Sequence, residues 1–137
     1  MIHILDSKLH DAVLDTFEAV FGKRPADQQI QIQTTRAEFD GDRTVVVFPL
    51  AGMAGAPPHV VAERLGEALV QGQDWIDGYG VVKGFLNLTL SAESWSMALA
   101  DAVGQAKWGF SPAKSKSQVM VEYSSPNTNK PLHLGHI

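Results

Sequence analysis

The sequence predicts an α+β domain of two layers, in which helices cover a mostly antiparallel four-stranded sheet in the order α-β-β-α-β-β-α. Three observations carry this expectation. Apolar residues recur three or four apart in three separate segments, the period of a helix with one buried face. Residues 29–34 and 85–90 instead alternate apolar with other residues, the period of a strand. The four extended segments fall into two pairs, each joined by Gly- or Asp-containing connections of the hairpin kind.

In chain order, Ile2, Leu5, Leu9, Val13, Phe17 and Val20 form the first apolar stripe, and Gly22 is placed to end that helix. Asp6, Lys8, Asp11, Asp15 and Glu18 mark its solvated face. Residues 29–34 then form a half-buried strand, Asp40-Gly41-Asp42 a turn and residues 43–48 a second strand, a hairpin with a long connection. Asp40 and Asp42 lack the further ligands that a calcium loop requires at fixed offsets. Residues 52–58 are a Gly/Ala/Pro loop, and Pro57-Pro58 suits the first turn of a helix reaching about Val70, with Val61, Leu65, Ala68 and Leu69 inward. Because no Gly-Lys-Ser/Thr follows, Gly52 and Gly55 are loop formers and not a phosphate cradle.

The second hairpin comprises residues 75–82 and 84–91. On its closing strand Leu86, Leu88 and Leu90 point to the core, and Phe85, Asn87 and Thr89 point the other way. Two placements of that second face are open. It lies under a neighbouring helix, or it meets solvent, where an aromatic ring beside an amide can stack on an unpaired base and hydrogen-bond its edge. Ser91 then caps a helix to about Gln105, with an apolar stripe of Trp95, Met97, Ala98, Leu99, Ala102 and Val103. The Gly-, Ser- and Lys-rich residues 106–117 form a linker, so residues 1–105 make one domain. Residues 118–123 are a short buried strand that feeds a polar, Pro-punctuated loop and then a helix start.

Composition excludes several classes. The 137 residues are 45% hydrophobic, enough for one ordinary core, and they contain no cysteine for a disulfide or a thiolate zinc site. No apolar run approaches the roughly 20 residues of a membrane span, and the first residues lack a basic leader pattern, so a soluble cytoplasmic protein is expected. The formal charge of −4 argues against a polyanionic partner until its distribution is considered. Residues 1–106 hold seven Lys/Arg against fourteen Asp/Glu, whereas residues 107–137 hold four against one.

The densest chemistry lies in the last fourteen residues, from Ser124-Ser125-Pro126-Asn127 through Lys130-Pro131 to His133-Leu134-Gly135-His136. A helix start there offers free N–H groups and the positive dipole end to a phosphate, with two imidazoles one turn apart. His133-Leu134-Gly135-His136 resembles the ATP-binding motif of class I aminoacyl-tRNA synthetases, and the longer string is similar to the form in arginyl-tRNA synthetase. The tetrapeptide alone is shared with small-molecule nucleotidylyltransferases; the longer string is specific. Lys114-Ser115-Lys116-Ser117 superficially resembles the family's second ATP motif, but the family places that motif far downstream, and a linker explains it better.

The resemblance implies an enzyme that activates L-arginine with ATP and transfers it to tRNA(Arg), with Mg2+ accompanying ATP. It implies that His133, Gly135 and His136 bind ATP, with His133, His136 and Lys130 catalytic, and that Ser125, Asn127 and Glu122 hold arginine. Residues 118–137 would open a Rossmann-type catalytic domain. The family also carries an additional N-terminal domain that contacts the tRNA D-loop, and its closing strand has a Gly-aromatic-x-Asn pattern matched by Gly84-Phe85-Leu86-Asn87. Phe85 and Asn87 are thereby the expected tRNA contacts; some members have Tyr at the aromatic position, so Phe85 keeps the stacking surface without a hydroxyl. Asn87 is expected to matter more for base identity.

No bound metal is expected in this chain, since two histidines without Cys or a carboxylate triad make a poor zinc centre. His3, His10 and His59 read as isolated surface histidines. A monomer is expected. Two other functions fit parts of the sequence, a nucleotidylyltransferase acting on a small acid and a stand-alone RNA-binding module. Since the sequence ends one residue past His136, these 137 residues alone are expected to show no arginine-dependent exchange of pyrophosphate into ATP. Incorporation of labelled pyrophosphate would check this.

Overall fold

The computed structural model describes residues 4–110 together with Met120, Asn129, Pro131 and Leu134. The expected sites at Glu122, Ser125, Asn127, Lys130, His133, Gly135 and His136 lie outside the described residues, as does most of the strand expected at 118–123.

Four helices and four strands follow the predicted order with one addition. They are α1 (Ile4–Phe21), β1 (Ile32–Thr34), β2 (Arg43–Val46), α2 (Phe48–Ala54), α3 (Pro58–Gly72), β3 (Ile76–Val82), β4 (Phe85–Leu90) and α4 (Ala92–Gly104). All strand pairs are antiparallel, in the order β1-β2-β4-β3, so the two hairpins join through β2 and β4. The core lies between this sheet and α1 and α3. Leu9, Val13 and Phe17 of α1, Val61, Leu65 and Leu69 of α3, Val45 of β2, and Leu86 and Leu88 of β4 meet there without solvent contact. Gly22 closes α1 with φ 72°, and the Ser91 hydroxyl caps α4 by accepting from the Ser94 N–H at 3.1 Å.

Three segments differ from the sequence expectation. β1 begins at Ile32, because a 3-10 turn over Asp27–Gln29 precedes it and the Gln29 side chain accepts from the Ala26 N–H at 2.9 Å. Residues 48–54 are helical where a strand end and a loop were expected. Pro49 has no N–H for a sheet ladder and fits a first helical turn, Leu50 is fully buried, and Gly55 at φ 67° terminates the helix. On α4, Trp95 and Ala98 pack against the core, but Met97 and Leu99 are each 66% exposed and Val103 is 77% exposed. Only one edge of that apolar stripe is used.

α3 and the sheet approach closely at Gly66. A Cβ there would stand 2.4 Å from the Tyr79 ring and 2.8 Å from a Leu86 methyl. The position accepts the roughly 1 kcal/mol helix penalty of glycine in exchange for that contact. Gly66→Ala is therefore expected to lower stability by about 1–3 kcal/mol, the usual range for overpacking, as measured by urea denaturation of the chain.

Candidate nucleic-acid interface

The face of the sheet away from α1 and α3 carries the polar side of β4. Its hairpin with β3 turns through Lys83 and Gly84, both at positive φ (49° and 82°), the backbone that a two-residue turn of matching twist needs. Gly84 also lacks room for a side chain, since a Cβ would lie 3.0 Å from the Phe48 ring and 3.1 Å from Pro58. The turn fixes the start of β4, and Phe85 is half-buried with its ring edge-on to Phe48, centroids 5.3 Å apart. Of the two placements left open by sequence, Phe85 takes an intermediate one: α2 supports one part of the ring and the rest lines a pocket.

Asn87 is not on an open surface. It is only 4% exposed, which corrects the solvent-facing placement that sequence alone allowed for it. The cause is the long β1–β2 connection, which turns back over β4. Gly41, at φ 116°, sits so near that a Cβ would be 3.2 Å from the Asn87 Cβ and 3.2 Å from the Leu88 carbonyl oxygen. Asp42 anchors this turn: its N–H donates to the Leu88 carbonyl and its carboxylate accepts from the Leu90 N–H, both at 2.8 Å.

Strand register then places Gln33, Thr44, Asn87 and Gly80 in one row across all four strands. Thr44 donates its hydroxyl proton to the Asn87 Oδ1 at 2.7 Å, and the Thr35 hydroxyl lies 3.0 Å from that of Thr44. The Asn87 amide nitrogen has no partner among the described residues, and it borders a pocket of about 180 Å³. Phe85 and Phe39 supply aromatic walls, Gln33 and Thr44 line the side, and Arg36 and Lys83 stand at the rim. This volume is below the roughly 300–1,000 Å³ of sites that take drug-sized ligands, and suits a single ring better than a whole nucleotide.

Sequence reasoning singled out Phe85 and Asn87, and the structure brings both to this pocket. It did not single out Gln33, Arg36, Phe39, Thr44 and Lys83, which also line it. The strand alternation at 29–34 was a usable signal for Gln33, but nothing local says that β2 pairs with β4. A second cavity of about 450 Å³ lies between α1 and α4 and is bordered by Asp74, Glu93 and Asp101, carboxylates unsuited to a polyanion. Among the described residues, no group of three His, Cys, Asp or Glu side chains could hold a metal ion, and no helix is long and apolar enough to cross a membrane.

Residues 4–90, nearly the whole of this two-hairpin domain, match the arginyl tRNA synthetase N terminal domain family. The chain belongs to that family. It is 39% identical over 134 residues to an arginine–tRNA ligase of Bacteroides thetaiotaomicron, covering 97% of this chain and 22% of that protein. It is 43% identical over 131 residues to one from Porphyromonas gingivalis, with 95% and 22% covered. The solved arginyl-tRNA synthetase of Thermus thermophilus superposes with a TM-score of 0.58 at 27% identity, over 97% of this chain and 21% of that one. The chain thus spans about a fifth of the length of these relatives.

Gly41 is the test of how Asn87 is covered. Gly41→Ala combines an unfavourable φ with two 3.2 Å contacts, so it is expected to lower stability by about 1–3 kcal/mol and to shift the Asn87 side-chain amide resonances. Thermal melting and a nitrogen–proton correlation spectrum of the chain read the two effects.

Proposed function

We propose that this domain is the tRNA-contacting part of an arginine–tRNA ligase, and that its pocket takes one unpaired base of the D-loop of tRNA(Arg). The observation that carries the proposal is the Asn87 amide, 4% exposed, its nitrogen without a partner among the described residues and facing a pocket walled by aromatic rings. Among the described residues no buried side-chain nitrogen or oxygen lacks a partner, so this amide nitrogen keeps contact with solvent, and a base edge would take the place of water there. Stacking on Phe85 supplies sequence-tolerant affinity, and Asn87 supplies discrimination. Arg36 and Lys83 are placed at the rim to meet the flanking phosphates.

The remaining roles follow from the family and from the terminal motif. The whole protein would activate L-arginine with ATP and charge tRNA(Arg), with residues 1–105 as the D-loop domain, 106–117 as linker and 118–137 as the start of a Rossmann-type catalytic domain of class I. During activation the arginine carboxylate attacks the α-phosphate, and negative charge grows on the phosphoryl oxygens as pyrophosphate leaves. His133 and His136 would donate to those oxygens, Gly135 would let adenosine approach, and Lys130 would add a cation near the reacting groups. Ser125 and Asn127 would hold the α-amino and carboxylate end of arginine, and Glu122 its guanidinium. Mg2+ would accompany ATP and help neutralise its phosphates. A monomeric enzyme of the cytoplasm is the corresponding expectation.

The test is aminoacylation of tRNA(Arg) by the full-length protein. Asn87→Ala is expected to raise KM for tRNA about tenfold with little change in kcat, and Phe85→Ala to do likewise, while Phe85→Tyr keeps the stacking surface and stays near the parent value. An unchanged KM and unchanged D-loop preference in Asn87→Ala would reject the assignment.

A further inference from the structure

Resting on that reading of the pocket, we infer that Thr44 is a positioning residue for base selection: it orients the Asn87 amide so that its NH2 group alone faces the pocket, and the pocket therefore selects a base edge that offers an acceptor.

The inference follows from proton counting. A threonine hydroxyl has one proton and two lone pairs. Thr44 gives its proton to the Asn87 Oδ1 at 2.7 Å, so at the 3.0 Å contact with Thr35 it can only accept, and Thr35 must donate. The three groups form a one-way relay, Thr35 to Thr44 to the Asn87 carbonyl. The amide nitrogen is left with no partner among the described residues, in a residue that lines the pocket.

The relay is held rigidly. Thr44 and Asn87 are each 4% exposed and face each other in strand register, while Gly41 packs on the Asn87 Cβ from above. Gly80, opposite Asn87 on β3, puts no side chain beside the amide, and a Cβ there would meet nothing within 4 Å. A ring sliding in along Phe85 would thus reach the NH2 group through a space the backbone keeps clear. A keto oxygen or an unprotonated ring nitrogen satisfies this donor; an edge presenting only N–H groups does not. Thr44 need not touch the RNA to set this preference.

The experiment measures KM and kcat for tRNA(Arg) with the full-length protein carrying Thr44→Val, Thr44→Ser, Asn87→Ala, Asn87→Asp and the pair Thr44→Val/Asn87→Ala, with melting temperatures alongside. Thr44→Val, nearly isosteric, is expected to raise KM about three- to tenfold at unchanged kcat, and Thr44→Ser to restore the parent KM. The pair should match Asn87→Ala alone, because the hydroxyl acts only through the amide. Asn87→Asp keeps the shape and the bond from Thr44 but offers no donor to the pocket, so its KM should rise at least as far as that of Asn87→Ala.

A parent-like KM in Asn87→Asp would mean that an acceptor faces the pocket, and would overturn the inference even if Thr44→Val failed to fold. A lowered melting temperature with parent KM in Thr44→Val would overturn it too, leaving Thr44 a purely structural role. Those results are distinct from an unaffected Asn87→Ala, which would remove the base-reading function itself.

Discussion

Pairing of β2 with β4 sets Thr44 across from Asn87 and Val45 across from Leu86, and both the core and the pocket depend on that register. Side chains alternate along a strand, so a slip of one residue would turn Leu86 and Leu88 outward and drive Asn87 into the apolar layer. Burial of those leucines against α1 and α3 is what forbids the slip. The polar row thus inherits its precision from the hydrophobic face behind it. A site on a loop would lack this support.

Attachments at the ends of these strands add to the constraint. Arg43 forms an ion pair with Asp6 of α1, and its guanidinium also lies 5.2 Å from the Trp95 ring of α4, linking β2 to helices from both ends of the domain. The Asp42 carboxylate, by accepting from the Leu90 N–H, holds the β1–β2 connection against the far end of β4. With the connection held there, Asn87 is buried and most of its hydration is removed. An amide in a setting of reduced hydration forms stronger hydrogen bonds than one in water. The fold therefore leaves one amide donor in contact with solvent, and in the proposed reading that donor is the one a base edge would satisfy.

How much of this was legible in the sequence depends on whether the signal was local. The turn at Gly84 and the strand face shared by Phe85 and Asn87 could be read because both signals act within a few residues, and Ser91 as a cap for the same reason, whereas the expectation that Phe85 and Asn87 contact tRNA came from the family resemblance. The helix at residues 48–54 was missed because the apolar run 45–48 reads as strand up to the point where Pro49 interrupts the ladder. The α4 stripe misled in the opposite sense: periodicity marks which residues could be buried, but Met97, Leu99 and Val103 stay mostly exposed. Thr44 was invisible as a site residue, since its importance comes from a partner 43 positions away. The burial of Asn87 was hidden likewise, because a connection that looks like a surface turn folds over it.

Charge completes the argument about what such a domain contributes. With carboxylates outnumbering cations two to one over residues 1–106, its overall field opposes a polyanion, and the cations that line the pocket are Arg36 and Lys83. Arg36 is itself 4.0 Å from Glu38, which tempers its charge. Each phosphate contact on a single strand changes the salt slope by only about 0.7, so two rim cations make for a shallow electrostatic dependence. Affinity of that kind could not hold a polynucleotide against the acidic surface. In the proposed reading, a short-range amide contact is insensitive to screening and would act only when the correct base is already in place, so the physical design would favour checking one base over capturing the RNA.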